Sequence, residues 1–437
     1  MESWAQPIVA GLISLAFLFI LLGAGVWIGI ALALTGLLSL LVFTSFPAGK
    51  ILAVALFNWS DSFVLASLPM FILMGELLYH SKVNRQLYEG LGPWVTRIPG
   101  KLLHSNVLAC TIFAAISGSS TATLATVGTI AVPELERLGY DKKLMLGSLA
   151  GGGTLGLLIP PSISMILYSF LVEESVGQLF MAGVIPGLIV SGLFLSYIGA
   201  VSLIRPEVAP VSPQYSWKDR LRGLLGVLPV IFLIFLVLGS IYLGWSTPTE
   251  AAAMGVGGAV ILGLINRAFS WRVLKNAVIE AVCISGMITF IIIGATLYST
   301  SVAYLGFSTT VAESIVALPV SRYVVLGLVG LLYLALGCLL EGAGMLVLTV
   351  PIIYTTMMAL GFDSIWFGVF VVIMIEIAQI TPPVGINLFV LSGISGQPVG
   401  SIVRASIPFF FLLLLGALII TIFPDLALWL PHQMIAR

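Results

Sequence analysis

Runs of apolar residues, interrupted by charges, glycines and prolines, divide the 437-residue chain into twelve segments. The first six cover roughly residues 7–25, 26–45, 51–80, 104–136, 143–170 and 178–204. The second six cover roughly 223–243, 249–266, 276–305, 323–358, 365–393 and 405–431. A helix needs about 20 predominantly apolar residues to cross hydrocarbon, and most of these runs meet that length. The polar stretch RPEVAPVSPQYSWKDRLR, from Arg205 to Arg222, is the only long linker and separates two halves.

Two segments have a different internal pattern. Segment 104–136 carries ISGSSTATLATVG at its centre, between apolar arms of about a dozen residues, too short to span singly. The pattern predicts a re-entrant hairpin with a polar tip near mid-membrane. Segment 323–358 repeats it with LGCLLEGAGML between two apolar arms. One long tilted helix with a glycine kink is the alternative for each. Two other segments carry proline pairs, in GLLIPPSISM (Gly156–Met165) and AQITPPVGIN (Ala378–Asn387). Proline lacks a backbone N–H and clashes with the preceding turn, so each pair predicts a broken helix. Freed backbone groups at membrane depth are tolerated where they are buried in protein or line a cavity.

Composition changes the picture in one direction. With 59% hydrophobic and 8% charged residues and a mean hydropathy of +1.17, most of the chain must lie in lipid. Net charge is zero, which leaves no electrostatic footprint for nucleic acid. Cys110, Cys283 and Cys338 lie in apolar runs without metal-ligand spacing and read as packing residues. His80, His104 and His432 lie at segment ends, against a zinc enzyme or a histidine proton relay. No Lys or Arg precedes Lys50 and no small-residue cleavage site follows the first run, so it reads as a retained span.

If both odd segments are hairpins, each half crosses five times and the second half is inverted relative to the first. Basic residues test this. With residues 1–6 outside, fifteen lie inside: Lys82, Arg85, Arg97, Lys101, Arg137, Lys142, Lys143, Arg205, Lys218, Arg220, Arg222, Arg267, Arg272, Lys275 and Arg404. Lys50, Arg322 and Arg437 remain outside, a strong positive-inside asymmetry. The linker is then inside and both termini outside. Internal similarity agrees: LGYD at Leu138–Asp141 recurs as LGFD at Leu360–Asp363, Pro160–Pro161 as Pro382–Pro383, and Pro186 as Pro408, all at an offset of 222. The expected architecture is an all-α polytopic membrane protein of two inverted repeats, residues 1–204 and 223–437, joined by linker 205–222. Secondary transporters use broken helices from such repeats to bind substrate and ion at one central site.

The stretches GSSTATLATVGTIAVPELERLGYD, GGGTLGLLIPPSISMILY, STPTEAAAMGV and AQITPPVGINLFVLSGI, in this order along essentially the whole chain, resemble the large membrane subunit (DctM type) of TRAP, or tripartite ATP-independent periplasmic, transporters. The resemblance implies an elevator-type importer of a small organic acid, usually coupled to Na⁺, in a bacterial inner membrane, with both termini periplasmic. It implies as partners a small four-helix membrane subunit and a periplasmic substrate-binding protein. The chain starts at the first large-subunit span, so the small subunit is expected as a separate polypeptide. No cofactor is expected beyond the coupling ion.

Na⁺ is a hard cation that prefers oxygen ligands, mostly carbonyls freed at helix breaks. By resemblance, one ion site joins the first tip (Ser117, Gly118, Ser119, Ser120) to the break at Pro160 and Ser162. Its twin joins Gly337–Gly342, including Glu341, to the break at Thr381 and Gly385. Substrate carboxylates favour helix N-termini and hydroxyl donors, which selects Ser119, Ser120, Thr121, Ser164 and Asn387. Two intramembrane acids stand out. Glu341 either neutralises Na⁺ or holds the tip by accepting local N–H groups; Glu376 packs against a polar partner or binds the ion. Glu250, three residues after Thr247 and with Pro248 between, predicts a capping box. The glycines of Gly255–Gly263 read as helix-packing positions, and Walker-type motifs are absent. Two alternatives remain. An ion-coupled carboxylate carrier without a binding protein would share this architecture. A membrane enzyme would need an acid–base or metal constellation at one membrane face, and none is found.

Overall fold

The computed structural model describes residues 2–60, 63–81, 83–210 and 215–434; Lys82, Arg437 and linker positions 211–214 lie outside them. Every regular element among the described residues is helical. In the first half these are α1 (Glu2–Gly23), α2 (Ile28–Phe43), α3 (Ala48–Ser60), α4 (Ser67–Tyr79), α5 (Val83–Val95), α6 (Leu102–Ser117), α7 (Ser120–Arg137), α8 (Lys142–Leu158), α9 (Ile163–Val172) and α10 (Val176–Ile204). The second half holds α11 (Trp217–Ile234), α12 (Ser240–Tyr242), α13 (Pro248–Ile265), α14 (Trp271–Tyr304), α15 (Phe307–Val316), α16 (Arg322–Gly337), α17 (Gly342–Ala359), α18 (Ser364–Gln379), α19 (Ile386–Ser395), α20 (Val399–Ile422) and α21 (Asp425–Gln433).

Among the described residues, eight helices or continuous helix runs are long and apolar enough to cross a bilayer. One is α17, with 18 residues, so the second tip has one arm that could span alone. The run expected as one segment at 51–80 is two helices, α3 and α4, and α4 continues through a 67° bend into α5. The sequence disguises α5 as a loop because its charges alternate with apolar residues on an amphipathic surface; Val83, Leu87, Tyr88 and Val95 are buried while Arg85 and Glu89 pair outside. The last segment likewise divides into α20 and α21.

The order helix, tip, helix, broken helix occurs twice: α6–α9 and α16–α19. LGYD and LGFD occupy the same place in each, and local chemistry explains both. Gly139 and Gly361 adopt left-handed φ of +75° and +78°, and the amide of the next residue bonds back to Leu135 O or Met357 O, closing the preceding helix. Asp141 and Asp363 then cap α8 and α18, accepting from Leu144 N (2.7 Å) and Trp366 N (2.9 Å). The Thr247–Glu250 capping box forms as its spacing predicts, with Pro248 at the first helical position.

The core centres on α8, every residue of which from Leu144 to Leu158 is buried. It packs against α6, α7, α10, α18 and α20. α8 brings glycine where its neighbours come nearest: a Cβ at Gly147 would lie 2.4 Å from Ala405 O, and one at Gly156 2.4 Å from Ser119 O. On the far side of the molecule α2 and α14 approach as closely, with a Cβ at Gly294 only 2.2 Å from Gly29 O and Ser301 Oγ donating to Gly36 O at 2.7 Å.

Candidate functional site

The first tip is a two-residue joint between α6 and α7. Gly118 takes φ +63°, ending α6, and Ser119 N-caps α7, accepting from Ala122 N at 3.4 Å. Ser117 Oγ and Thr123 Oγ1 bond at 2.7 Å, and Ser119 Oγ and Thr121 Oγ1 at 3.1 Å, so the tip's hydroxyls form two pairs.

This tip meets the first helix break directly. Pro160 and Pro161, joined by a cis peptide bond, separate α8 from α9. Ile163 N donates to Gly118 O at 3.3 Å, and a Cβ on Gly118 would lie 2.9 Å from Pro161 O. Ser162 is fully buried and N-caps α9 by accepting from Met165 N at 3.3 Å; Ser164 is buried in the first turn of α9. The structure therefore brings Ser117, Gly118, Ser119, Pro160 and Ser162 into one neighbourhood.

The second tip meets the second break with different contacts. Cys338 Sγ donates to Leu334 O and Pro382 O at 3.4 and 3.3 Å. Gly337 lies against Ala378, and Gly342 against Ile375 and Gln379, with no room for a side chain at either glycine. Thr381 Oγ1 donates to Ile377 O at 2.6 Å. Gly385, at φ +38°, begins α19; a Cβ there would lie 2.9 Å from Thr381 O and 3.2 Å from Gln379 O. Pro382 and Pro383, also joined cis, are exposed, whereas Pro160 and Pro161 are buried. Glu341 is exposed at the N-cap position of α17 and makes no side-chain capping bond.

Glu376 is the residue whose contacts the sequence left open. It is fully buried on α18, and its Oε1 accepts from Ser120 Oγ (2.5 Å) and Leu157 N (2.8 Å). The polar partner is thus the first tip together with the end of α8. Its Oε2 has no partner, nor has Gln379 Oε1 one turn later. Asn387, in the first turn of α19, is fully buried with both amide atoms unpartnered. Buried polar groups without partners are rare in folded chains and costly, so Asn387 is a side chain waiting for a ligand or a neighbour.

A cavity of about 310 Å³ opens against the first tip, with Ser117, Ser119, Thr121 and Ile163 on one side and Glu76 and Glu280 on the other. The acids come from α4 and α14. His80 Nε2 lies 3.0 Å from Glu280 Oε2 and 3.9 Å from Glu76 Oε2, and donor atoms of the three residues all fall within 4.8 Å of one another. Sequence reasoning missed this group, although Glu76 and Glu280 sit inside apolar runs and intramembrane acids are functional candidates by default. Gly75, beside Glu76, rests against the first tip, where a Cβ would lie 3.2 Å from Ser117 O.

Helices long enough to span a bilayer, together with two helix breaks that each abut a tip, define a multi-pass helical membrane protein of the transporter class. Over residues 15–426 the chain matches the family described as the DctM component of the tripartite ATP-independent periplasmic transporter, and it belongs to that family. Among similar proteins, the C4-dicarboxylate TRAP transporter large permease protein DctM of Pseudomonas aeruginosa is 36% identical over 403 residues, covering 92% of this chain and 94% of that protein. The protein of the same name from Rhodobacter capsulatus is 32% identical, covering 97% and 99%. In fold, the chain resembles the YdaH transporter of Alcanivorax borkumensis, with a TM-score of 0.58 at 14% identity over 86% of this chain and 89% of that one. The protein is a transporter permease component and not an enzyme.

Proposed function

We propose that the chain is the large subunit of a secondary transporter that imports a C4-dicarboxylate or a similar small carboxylate together with Na⁺. The observation that carries this reading is the pairing of each tip with a helix break, most directly through the bond from Ile163 N to Gly118 O. Such joints gather carbonyl and hydroxyl oxygens, the ligands a hard alkali cation requires. The first ion site comprises Ser117, Gly118, Ser119, Pro160 and Ser162; the second comprises Gly337, Glu341, Gly342, Thr381 and Gly385. Substrate carboxylates contact Ser119, Thr121, Ser164 and Asn387, whereas Ser120, also selected from the sequence, gives its hydroxyl proton to Glu376. The substrate class follows relatives named for C4-dicarboxylates.

The repeats 1–204 and 223–437 are inverted about the linker 205–222, which faces the cytoplasm, and both termini are periplasmic. The fifteen-to-three charge distribution and the 222-residue offset support this arrangement. Tips and breaks move together as an elevator against the helices that carry Glu76 and Glu280. A separate four-helix membrane subunit and a periplasmic binding protein complete the system in the bacterial inner membrane.

The test is uptake of a labelled C4-dicarboxylate into proteoliposomes holding the chain with its small subunit, supplied with the binding protein. Uptake is expected to require an inward Na⁺ gradient. Equal uptake from choline medium under a proton gradient alone would overturn Na⁺ coupling, and full uptake without the binding protein would favour the carrier reading.

A further inference from the structure

One turn of α18, from Ile375 to Gln379, touches both tips. On one side Glu376 Oε1 receives the Ser120 hydroxyl of the first tip and the Leu157 amide of α8. Ser120 is 256 residues away and Leu157 is 219 residues away in sequence. On the other side the second tip rests on the same turn: a Cβ at Gly337 would lie 2.2 Å from Ala378 Cβ, and one at Gly342 2.8 Å from Ile375 Cγ2. Leu157 also reaches Gly342, its Cδ1 lying 4.0 Å from that Cβ position. First tip, second tip and α8 therefore converge on this one turn of α18, the first tip and α8 through Glu376 and the second tip through Ile375 and Ala378.

Filling this space does not call for a carboxylate. A fully buried acid carries a desolvation penalty that an apolar side chain of similar volume would avoid. A carboxyl oxygen shared by two donors does what a leucine cannot: it fixes two segments to a third by directional hydrogen bonds. The donors belong to the elements that flank the first tip-and-break joint, and the acceptor belongs to the helix that leads into the second break.

We propose that Glu376 is a positioning residue that ties the two tips to one turn of α18, so that they shift together and ion occupancy at one joint is felt at the other. The inference rests on the reading of the joints as ion sites for its second clause only. The mechanical tie stands on the contacts themselves.

The experiment compares the full-length wild-type chain with Glu376→Ala, Glu376→Gln and Ser120→Ala in lipid nanodiscs by hydrogen–deuterium exchange. Losing two hydrogen bonds worth about 1 kcal/mol each should raise exchange by about tenfold or more. Glu376→Ala is expected to do so both at residues 117–123 and at 338–345, with amides of α2 unchanged. Glu376→Gln, which keeps an oxygen acceptor, should restore slow exchange at both tips. Ser120→Ala removes one bond and should give the same pattern with smaller size, which decides the matter if Glu376→Ala does not fold. Faster exchange at the first tip alone, in either variant, overturns the tie. In proteoliposomes titrated with NaCl against choline chloride, Glu376→Ala should raise the Na⁺ half-saturation and lower its Hill coefficient toward one, more than it lowers the maximal rate. An unchanged Hill coefficient overturns the coupling. A wild-type chain indifferent to Na⁺ would instead refute the ion reading, leaving exchange at the tips to judge the tie.

Discussion

Gly156→Ala is the smallest perturbation that presses on the first tip. A methyl group there would sit 2.4 Å from the Ser119 carbonyl oxygen, 2.6 Å from its carbon and 2.7 Å from Ser120 Cα. All three are backbone atoms, so no side chain can swing aside. Ordinary contact begins at 3.4 Å, and the tip must retreat by about 1 Å. Overpacking of this kind costs about 1–3 kcal/mol. If the displaced oxygen and its neighbours bind the coupling ion, that cost appears in affinity, at tenfold for each 1.4 kcal/mol, or about five- to hundredfold. Gly147→Ala is the control: its methyl would lie 2.4 Å from Ala405 O, an equal clash about 13 Å further along α8 and away from both tips. Both variants should melt at lower temperature in detergent. Only Gly156→Ala should raise the Na⁺ half-saturation for dicarboxylate uptake. Equal increases in the two variants, or none in either at matched protein levels, would refute the assignment of the first tip to ion binding.

Further outcomes follow from other residues. Asn387→Leu removes two unpartnered buried polar atoms, so the substrate-free protein should melt no lower than wild type while dicarboxylate uptake is lost; a lower melting temperature with normal uptake would make Asn387 a structural residue. Thr247→Ala removes the side-chain half of the capping box, the 3.3 Å bond from Glu250 N, while keeping the Thr247 amide bond to Glu250, and should cost about 1 kcal/mol of stability without changing uptake, read by thermal unfolding and transport in parallel. Lys218→Cys, in the exposed part of the linker, should resist an impermeant maleimide in intact cells and react after permeabilisation; ready labelling in intact cells would reverse the topology.

The breaks and tips were legible because their chemistry is local. Proline pairs cannot continue a helix, a glycine with small hydroxyl neighbours cannot form a lipid-facing span, and the LG-aromatic-Asp motif encodes one helix end and the next helix start. The helix boundaries at Leu158–Ile163 and Gln379–Ile386 follow from these residues. The division of segment 51–80 was missed although Ser60, Asp61 and Ser62 stand together between its two apolar runs, because a single short polar cluster was counted as part of one span. Amphipathic α5 was hidden for the opposite reason: enough of its residues are charged to resemble a loop. The partners of Glu376 could not be read at all. Periodicity says that a residue is buried, but contact with Ser120 is created by the meeting of α7, α8 and α18, which no spacing within α18 encodes.

The seam between α2 and α14 has a consequence for motion. Where backbone touches backbone, as at Gly29 and Gly294, the two helices are keyed to a single register. A slip of one residue, about 1.5 Å along the axis, would bring Ala295 or its other neighbour toward the Gly29 carbonyl in place of a glycine, and would pull Ser301 off the Gly36 carbonyl. The pair can therefore travel only as one piece. Because α14 also carries Glu280 and packs on α4, which carries Glu76, the acidic wall of the cavity is built on this keyed seam. The first tip already touches that wall at Gly75, where a Cβ would lie 3.2 Å from Ser117 O, so a displacement of either is felt by the other at this contact.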